Sequence, residues 1–183
     1  MLILIVGPSG SGKDTLLNGA RDRLADDPRY RFVRRLITRP GDLGEEAHES
    51  ITDQAFELRR EAGEFALTWR AHGLRYGIPG DIGLDLAGGR VVIANVSRAV
   101  VAEAAARFPV SVIEVSAPAG VLARRLAARG REDAVDIARR LSRGIELPLP
   151  VERQTVVNDG TVEQGVRRLV AAISRATGAA LPT

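Results

Sequence analysis

An apolar run, Leu2-Ile3-Leu4-Ile5-Val6, leads directly into Gly7-Pro8-Ser9-Gly10-Ser11-Gly12-Lys13, and a helical pattern follows. Glycines at three of these positions let the backbone turn tightly and approach a ligand closely. The frame G-x-x-x-x-G-K between a strand and a helix is that of a phosphate-binding loop, whose backbone N–H groups and helix N-terminus form a concave anion site. Leu16, Leu17, Ala20 and Leu24 then fall on one helix face. Lys13 is the only lysine among 26 basic residues, the rest being arginine. A compact ammonium on a flexible stem therefore stands where such a loop needs one. Lys13 is expected to reach the β- and γ-phosphates of a nucleotide.

The nucleotide-binding residues expected on this basis are Gly7, Pro8, Ser9, Gly10, Ser11, Gly12, Lys13, Asp14 and Thr15. Serine or threonine normally follows the lysine and ligates Mg²⁺, but here Asp14 does. A carboxylate is a good hard oxygen ligand, so Asp14 is expected to contact the metal, directly or through water. The alternative is an acid favoured only by the helix dipole.

The 183 residues fit one domain with a sizeable core. A net charge of +3, with no basic run longer than two, gives no case for nucleic acid. Cysteine is absent, which excludes disulfides and thiolate metal sites. Leu2–Val6 is too short for a signal sequence and no apolar segment reaches membrane-spanning length. The expectation is a cytoplasmic protein with no nucleic acid, membrane or obligate protein partner.

Short apolar runs alternate with helical patterns. Val91–Ala94, Val110–Val115 and Thr155–Val157 read as strands, and residues 98–107 and 118–129 as helices. The last helix opens on a capping box, Thr161 with Gln164, and carries the stripe Val162, Val166, Leu169, Val170 and Ile173. This alternation predicts an α/β fold, a parallel sheet wrapped by helices. Ligands in such folds bind at the carboxyl ends of the strands, where Asn95-Val96-Ser97 and Asn158-Asp159 also lie. Residues from about 38 to 80 break the pattern. A polar loop, a helix near 53–62 and the alternating run Phe65–Arg70 predict an insertion with its own small sheet. Arginines gather around Gly130, at 129, 131, 139, 140 and 143.

With the phosphate loop, Thr38-Arg39-Pro40, Arg75-Tyr76-Gly77, Arg129-Gly130, Arg140-Leu141 and Asn158-Asp159 in view, residues 2 to 173 resemble the guanylate-kinase-like P-loop kinases. The resemblance implies an inserted acceptor-binding region at about 38–80 and an Arg-rich lid at about 129–144. It gives Arg39 to the acceptor phosphate, Arg129 and Arg140 to the transferring phosphoryl group, and Asn158 to the donor's adenine. Several positions depart from guanylate kinases: Asp14, Asp42, His48, Leu36 and Ile93-Ala94-Asn95. A guanine pocket needs buried polar partners for the base, and these changes remove them. The departures resemble instead a narrower group, the ribose 1,5-bisphosphate phosphokinases associated with phosphonate breakdown. The stretches that carry this are Gly7–Asp14, Ile37–Arg39, Glu46–His48, Trp69–Leu74, Asn95–Ala99 and Arg129–Glu132. The activity implied is conversion of ribose 1,5-bisphosphate to 5-phosphoribosyl 1-diphosphate with ATP and Mg²⁺.

An ionised phosphate oxygen is already a nucleophile, so catalysis reduces to positioning and charge neutralisation. The catalytic residues expected are Lys13, Arg129 and Arg140. The sugar phosphate is expected to meet Arg39, His48, Arg75, Tyr76, Asn95 and Arg98. Two alternatives remain at this point: a nucleoside monophosphate kinase, and a non-catalytic binding module of the same fold.

Overall fold

The structure is a computed structural model that describes residues 1–39, 48–128 and 151–178. Its main sheet has five parallel strands in the order β2-β7-β1-β8-β9. These are β1 Leu2–Val6, β2 Tyr30–Phe32, β7 Val91–Asn95, β8 Val110–Ser116 and β9 Arg153–Val157. The helices are α1 Lys13–Arg23, α3 Ile82–Ala87, α4 Val101–Arg107, α5 Ala119–Ala128 and α6 Val162–Thr177. The parallel sheet with helices is the α/β fold expected from the alternation. No helix among the described residues is long and apolar enough to cross a membrane.

Strand β1 is buried at every position, as a central parallel strand must be. Its residues alternate between two cores. Ile3 and Ile5 join Leu16 and Ala20 of α1 and Leu169, Val170 and Ile173 of α6 on one face. Leu2, Leu4 and Val6 join Val92, Val101 and Ile82 on the other. The capping box of α6 forms as expected: Thr161 accepts from Gln164 N, and the Gln164 side chain accepts from Thr161 N. The stripe needs one correction. Val162 is exposed, because it is the first helical residue and projects past the end of the sheet.

A second sheet of four strands has the order β4-β3-β6-β5. It consists of β3 Arg35–Ile37, β4 His48–Ser50, β5 Phe65–Ala71 and β6 Leu74–Pro79, with helix α2 Asp53–Glu61 beside it. A two-residue turn, His72 (φ 52°) and Gly73 (φ 73°), joins β5 to β6. Positive φ at both positions suits the right-handed twist of a hairpin. The sheet begins at Arg35, three residues before the expected start of the insertion. Ala66, Leu67 and Ile78 extend from it into the second core, so it packs as part of the same fold.

The elements missed in the sequence are the short ones. β2 and β3 have three residues each, with arginines among them, too few for alternation to register. Residues 98–107 are also not one helix. Ser97 caps a 3₁₀ turn over Arg98–Val100, and α4 follows.

Helices α1 and α6 touch through glycine. A Cβ on Gly165 would stand 2.7 Å from Leu16 Cδ2 and 3.0 Å from Asn158 Oδ1. Gly165→Ala is therefore expected to cost about 1–3 kcal/mol of stability in urea unfolding, through overpacking.

Candidate functional site

The loop after β1 turns through glycines in the left-handed region, with φ of 147° at Gly7, 82° at Gly10 and 86° at Gly12. A Cβ on Gly7 would lie 2.1 Å from the Val115 carbonyl oxygen, so only glycine lets the chain leave the sheet between β1 and β8. Lys13 folds back over the loop, its Nζ donating to Gly7 O at 2.8 Å and Pro8 O at 2.9 Å. Asn158, just past β9, donates Nδ2 to Ser11 O at 2.7 Å. Arg125 of α5 directs Nη1 at the same oxygen, at 3.3 Å. The loop's carbonyls are thus held by side chains around it. Its backbone curvature and the start of α1 have the strand–loop–helix geometry that can cradle an anion. Asn158 is buried and acts here as a brace on the loop. Arg168 pairs with Asp159 at 2.6 Å and holds its carboxyl below the usual carboxylate range.

Asp14 opens α1 beside this cradle. Asn95, at the end of β7, donates Nδ2 to Asp14 Oδ1 at 2.6 Å, and Arg35 Nη2 lies 3.7 Å from the same oxygen. The structure thus brings together two expected residues, Asp14 and Asn95, and adds Arg35. Among the described residues no group of three His, Cys, Asp or Glu side chains is placed to hold a metal. A single carboxylate beside a phosphate cradle still fits Mg²⁺, which is held by one or two carboxylates together with substrate phosphates and water.

The second sheet faces Asp14 through Arg35 and Tyr76. Arg35 lies over the Tyr76 ring at 5.7 Å, and Trp69 stacks on Tyr76 at 5.2 Å with the rings 7° apart. Tyr76 and His48 are buried. Arg39 is half-buried at the end of β3. Thr38 ahead of it is fixed by Arg75, whose backbone N donates to Thr38 Oγ1 at 2.9 Å. The Arg75 side chain turns away, to Asp53 at 3.3 Å and to Glu57. Arg98 pairs with Glu114 of β8. These two guanidinium groups are held by carboxylates and do not join the group around Asp14. Arg129 and Arg140, with the whole expected lid, and residues 40–47 of the acceptor loop lie outside the described residues.

A crevice runs along α1 from this point. Asp14, Leu17, Asn18 and Arg21 form one wall, residues 32–35 form the other, and Ile93 and Asn95 close it. Sequence reasoning missed Arg35 and Arg125. Arg125 reads there as one charge on a helix face, and Arg35 as one of a basic pair in a strand too short to show its sides.

No protein-family model matches the chain. Curated relatives do. The chain is 50% identical over 173 residues to "Ribose 1,5-bisphosphate phosphokinase PhnN" of Methylobacterium radiotolerans, covering 93% of this chain and 95% of that protein. It is 50% identical over 163 residues to the protein of the same name in Acidiphilium cryptum, covering 89% and 86%. A "Bifunctional ribose 1,5-bisphosphokinase-thymidine phosphorylase" of Cupriavidus necator is 49% identical over 175 residues, and this chain spans only 29% of its length. Among solved structures, guanylate kinase from Anaplasma phagocytophilum superposes with a TM-score of 0.67 at 17% identity, covering 96% of this chain and 85% of that one. A gluconokinase from Sinorhizobium meliloti gives 0.54 at 17% identity, covering 96% and 93%. These structural likenesses establish the fold, a P-loop kinase α/β fold.

The brace on the loop has a measurable consequence. Asn158→Asp replaces an N–H donor with a carboxylate facing the Ser11 carbonyl. The expected outcome is at least a tenfold loss of ATP affinity by calorimetry, about 1.4 kcal/mol. Unchanged affinity would remove Asn158 from the site's architecture.

Proposed function

The chain belongs to the ribose 1,5-bisphosphate phosphokinase family, and on that premise we propose that it transfers the γ-phosphoryl group of ATP to the 1-phosphate of ribose 1,5-bisphosphate. The products are 5-phosphoribosyl 1-diphosphate and ADP. An oxygen of the 1-phosphate forms the new bond to the γ-phosphorus, and the bond from that phosphorus to the oxygen bridging to the β-phosphate breaks. The observation that carries the reading is the meeting of the phosphate loop with Asp14, Asn95 and Arg35 at the mouth of a cation-lined crevice.

Lys13 exchanges the Gly7 and Pro8 carbonyls for phosphate oxygens when nucleotide enters. Asp14 is the residue that would hold Mg²⁺, with phosphate oxygens and water. The metal, when bound, spreads positive charge over the β- and γ-phosphates. Arg39 holds the acceptor, and the family resemblance gives Arg129 and Arg140 to the transferring group, whose charge they would neutralise. The acceptor oxygen is already ionised, so no general base is required. Trp69 and Tyr76 set the position of Arg35 beside the acceptor.

Supporting a sugar phosphate over a nucleotide acceptor, Leu36 and Ala94 are buried and apolar where a base would need polar partners. Incubation of the purified chain with ATP, Mg²⁺ and ribose 1,5-bisphosphate, followed by mass spectrometry, should show the acceptor gaining one phosphoryl group. Selectivity over GMP or AMP is expected to be at least about 10³ in kcat/KM, roughly 4 kcal/mol. Robust GMP phosphorylation with ribose 1,5-bisphosphate inert would return the chain to the nucleoside monophosphate kinases.

Two variants test the roles. Lys13→Ala should abolish turnover while the circular dichroism spectrum stays unchanged; undiminished turnover would refute the assignment. Asp14→Asn should raise the Mg²⁺ concentration for half-maximal rate more than it raises the KM for ATP. An unchanged Mg²⁺ titration would make Asp14 a helix-terminal acid only.

A further inference from the structure

We propose that the crevice along α1 holds the far, non-reacting phosphate of the acceptor, and that Arg21 and Arg34 receive it. This rests on the function proposed above and locates the end of the substrate that reaction leaves untouched. The two arginines expected to serve a second phosphate, Arg75 and Arg98, are ion-paired with Asp53, Glu57 and Glu114. The far part of the crevice offers Arg34 and Arg21, the latter in a long, exposed contact of 3.9 Å with Asp22.

Its geometry gives the direction. Asp14, Leu17, Asn18 and Arg21 share a face of α1, at the i, i+3, i+4 and i+7 spacing. Seven residues of helix rise about 10 Å, so the wall runs from the phosphate cradle at Asp14 to a guanidinium one pentose away. Arg34 and Arg35 stand on the opposite wall. A molecule whose reacting phosphate lies by Lys13 and Asp14 meets these cations when it extends along the crevice. Against three arginines the crevice carries one carboxylate, Asp14, at the reacting end. Arg35 sits beside that carboxylate at 3.7 Å, and Arg21 and Arg34 outnumber the one acid near the far end, the exposed Asp22.

The walls suit the rest of a sugar phosphate. Leu17, Phe32 and Val33 are apolar and can cover the carbon face of a furanose. Asn18 and Asn95 bring amides that can meet hydroxyls. Arg35, 15% exposed and lying over Tyr76, stays at the reacting end beside Asp14. Arg34 is anchored by donating to His48 O at 3.3 Å, which ties it to the edge of the second sheet. Paired guanidinium forks match phosphate oxygens in a way ammonium groups cannot.

The test removes the far phosphate from the substrate and the cations from the protein in turn. kcat/KM is measured with ribose 1,5-bisphosphate and with ribose 1-phosphate, for the unaltered chain and for Arg34→Gln and Arg21→Gln. The unaltered chain should prefer the bisphosphate by about 100-fold or more. In each variant that preference should fall at least about tenfold. Ribose 5-phosphate, which carries only the far phosphate, should inhibit competitively against the bisphosphate and less well in the variants. Equal loss on both acceptors, no preference in the unaltered chain, or noncompetitive inhibition by ribose 5-phosphate would each overturn the proposal. Absence of any turnover of ribose 1,5-bisphosphate by the unaltered chain would instead overturn the function it rests on. If Arg34→Gln fails to fold, Arg21→Gln and the inhibition pattern of the unaltered chain still decide.

Discussion

A loop that turns its N–H groups toward an anion must turn carbonyls away from it, and each carbonyl then needs a donor elsewhere. Here Lys13 takes the oxygens of Gly7 and Pro8, and Asn158 takes that of Ser11 with Arg125 beside it. The donors come from three distant parts of the chain, so the cradle exists only once the main sheet has assembled. Lys13 alone is exchangeable among them, since its ammonium rotates on a flexible stem. The Asn158 brace is buried and lies 2.4 Å from where a Gly12 Cβ would stand. That close approach requires glycine as firmly as the φ of 86° does.

The same constraint reaches into the core. Asn158 is held by its place after β9, where its own N–H donates to Ser116 O at 2.8 Å, and by α6, whose Gly165 leaves room for its amide. Gly19 on α1 lets Val166 of α6 come within 2.5 Å of where a Cβ would be. Two glycines thus set the separation of α1 and α6, and that separation sets the position of the loop. Helix packing and loop position are one problem here, because Gly165 lies against both Leu16 and Asn158.

Much of this was legible in the sequence, for identifiable reasons. The loop was legible because glycine spacing and a lone lysine leave few alternatives. α6 was legible because its capping box and stripe repeat over four turns. Asn95 and Asn158 were placed at the strand ends from the periodicity of the strands before them. Arg35 and Arg125 were not found, since an arginine in a chain with 25 of them carries no mark of its own. Whether it faces a carboxylate, a carbonyl or a ligand depends on tertiary contacts between distant segments. Arg75 and Arg98 illustrate the converse. Motif position singled them out, and the acids of α2 and β8 that hold them lie 16 to 22 residues away in sequence.

The near-exclusive use of arginine then acquires a structural sense. Arg31 pairs with Asp81 and Asp85, and Arg90 pairs with Asp85. Arg31 and Arg90 hold the Asp85 carboxyl below its usual range and tie β2 to α3. A planar guanidinium carries several donors in fixed directions, so Arg31 bridges Asp81 and Asp85 at once while Arg90 takes the other Asp85 oxygen. A protein that builds its frame this way spends its carboxylates on its arginines. Asp14 is the exception at the crevice, shared between an amide and a distant guanidinium rather than clasped in a fork. A carboxylate has about four acceptor positions, so one amide at 2.6 Å and a guanidinium at 3.7 Å leave Asp14 room for a further partner at the mouth of the crevice.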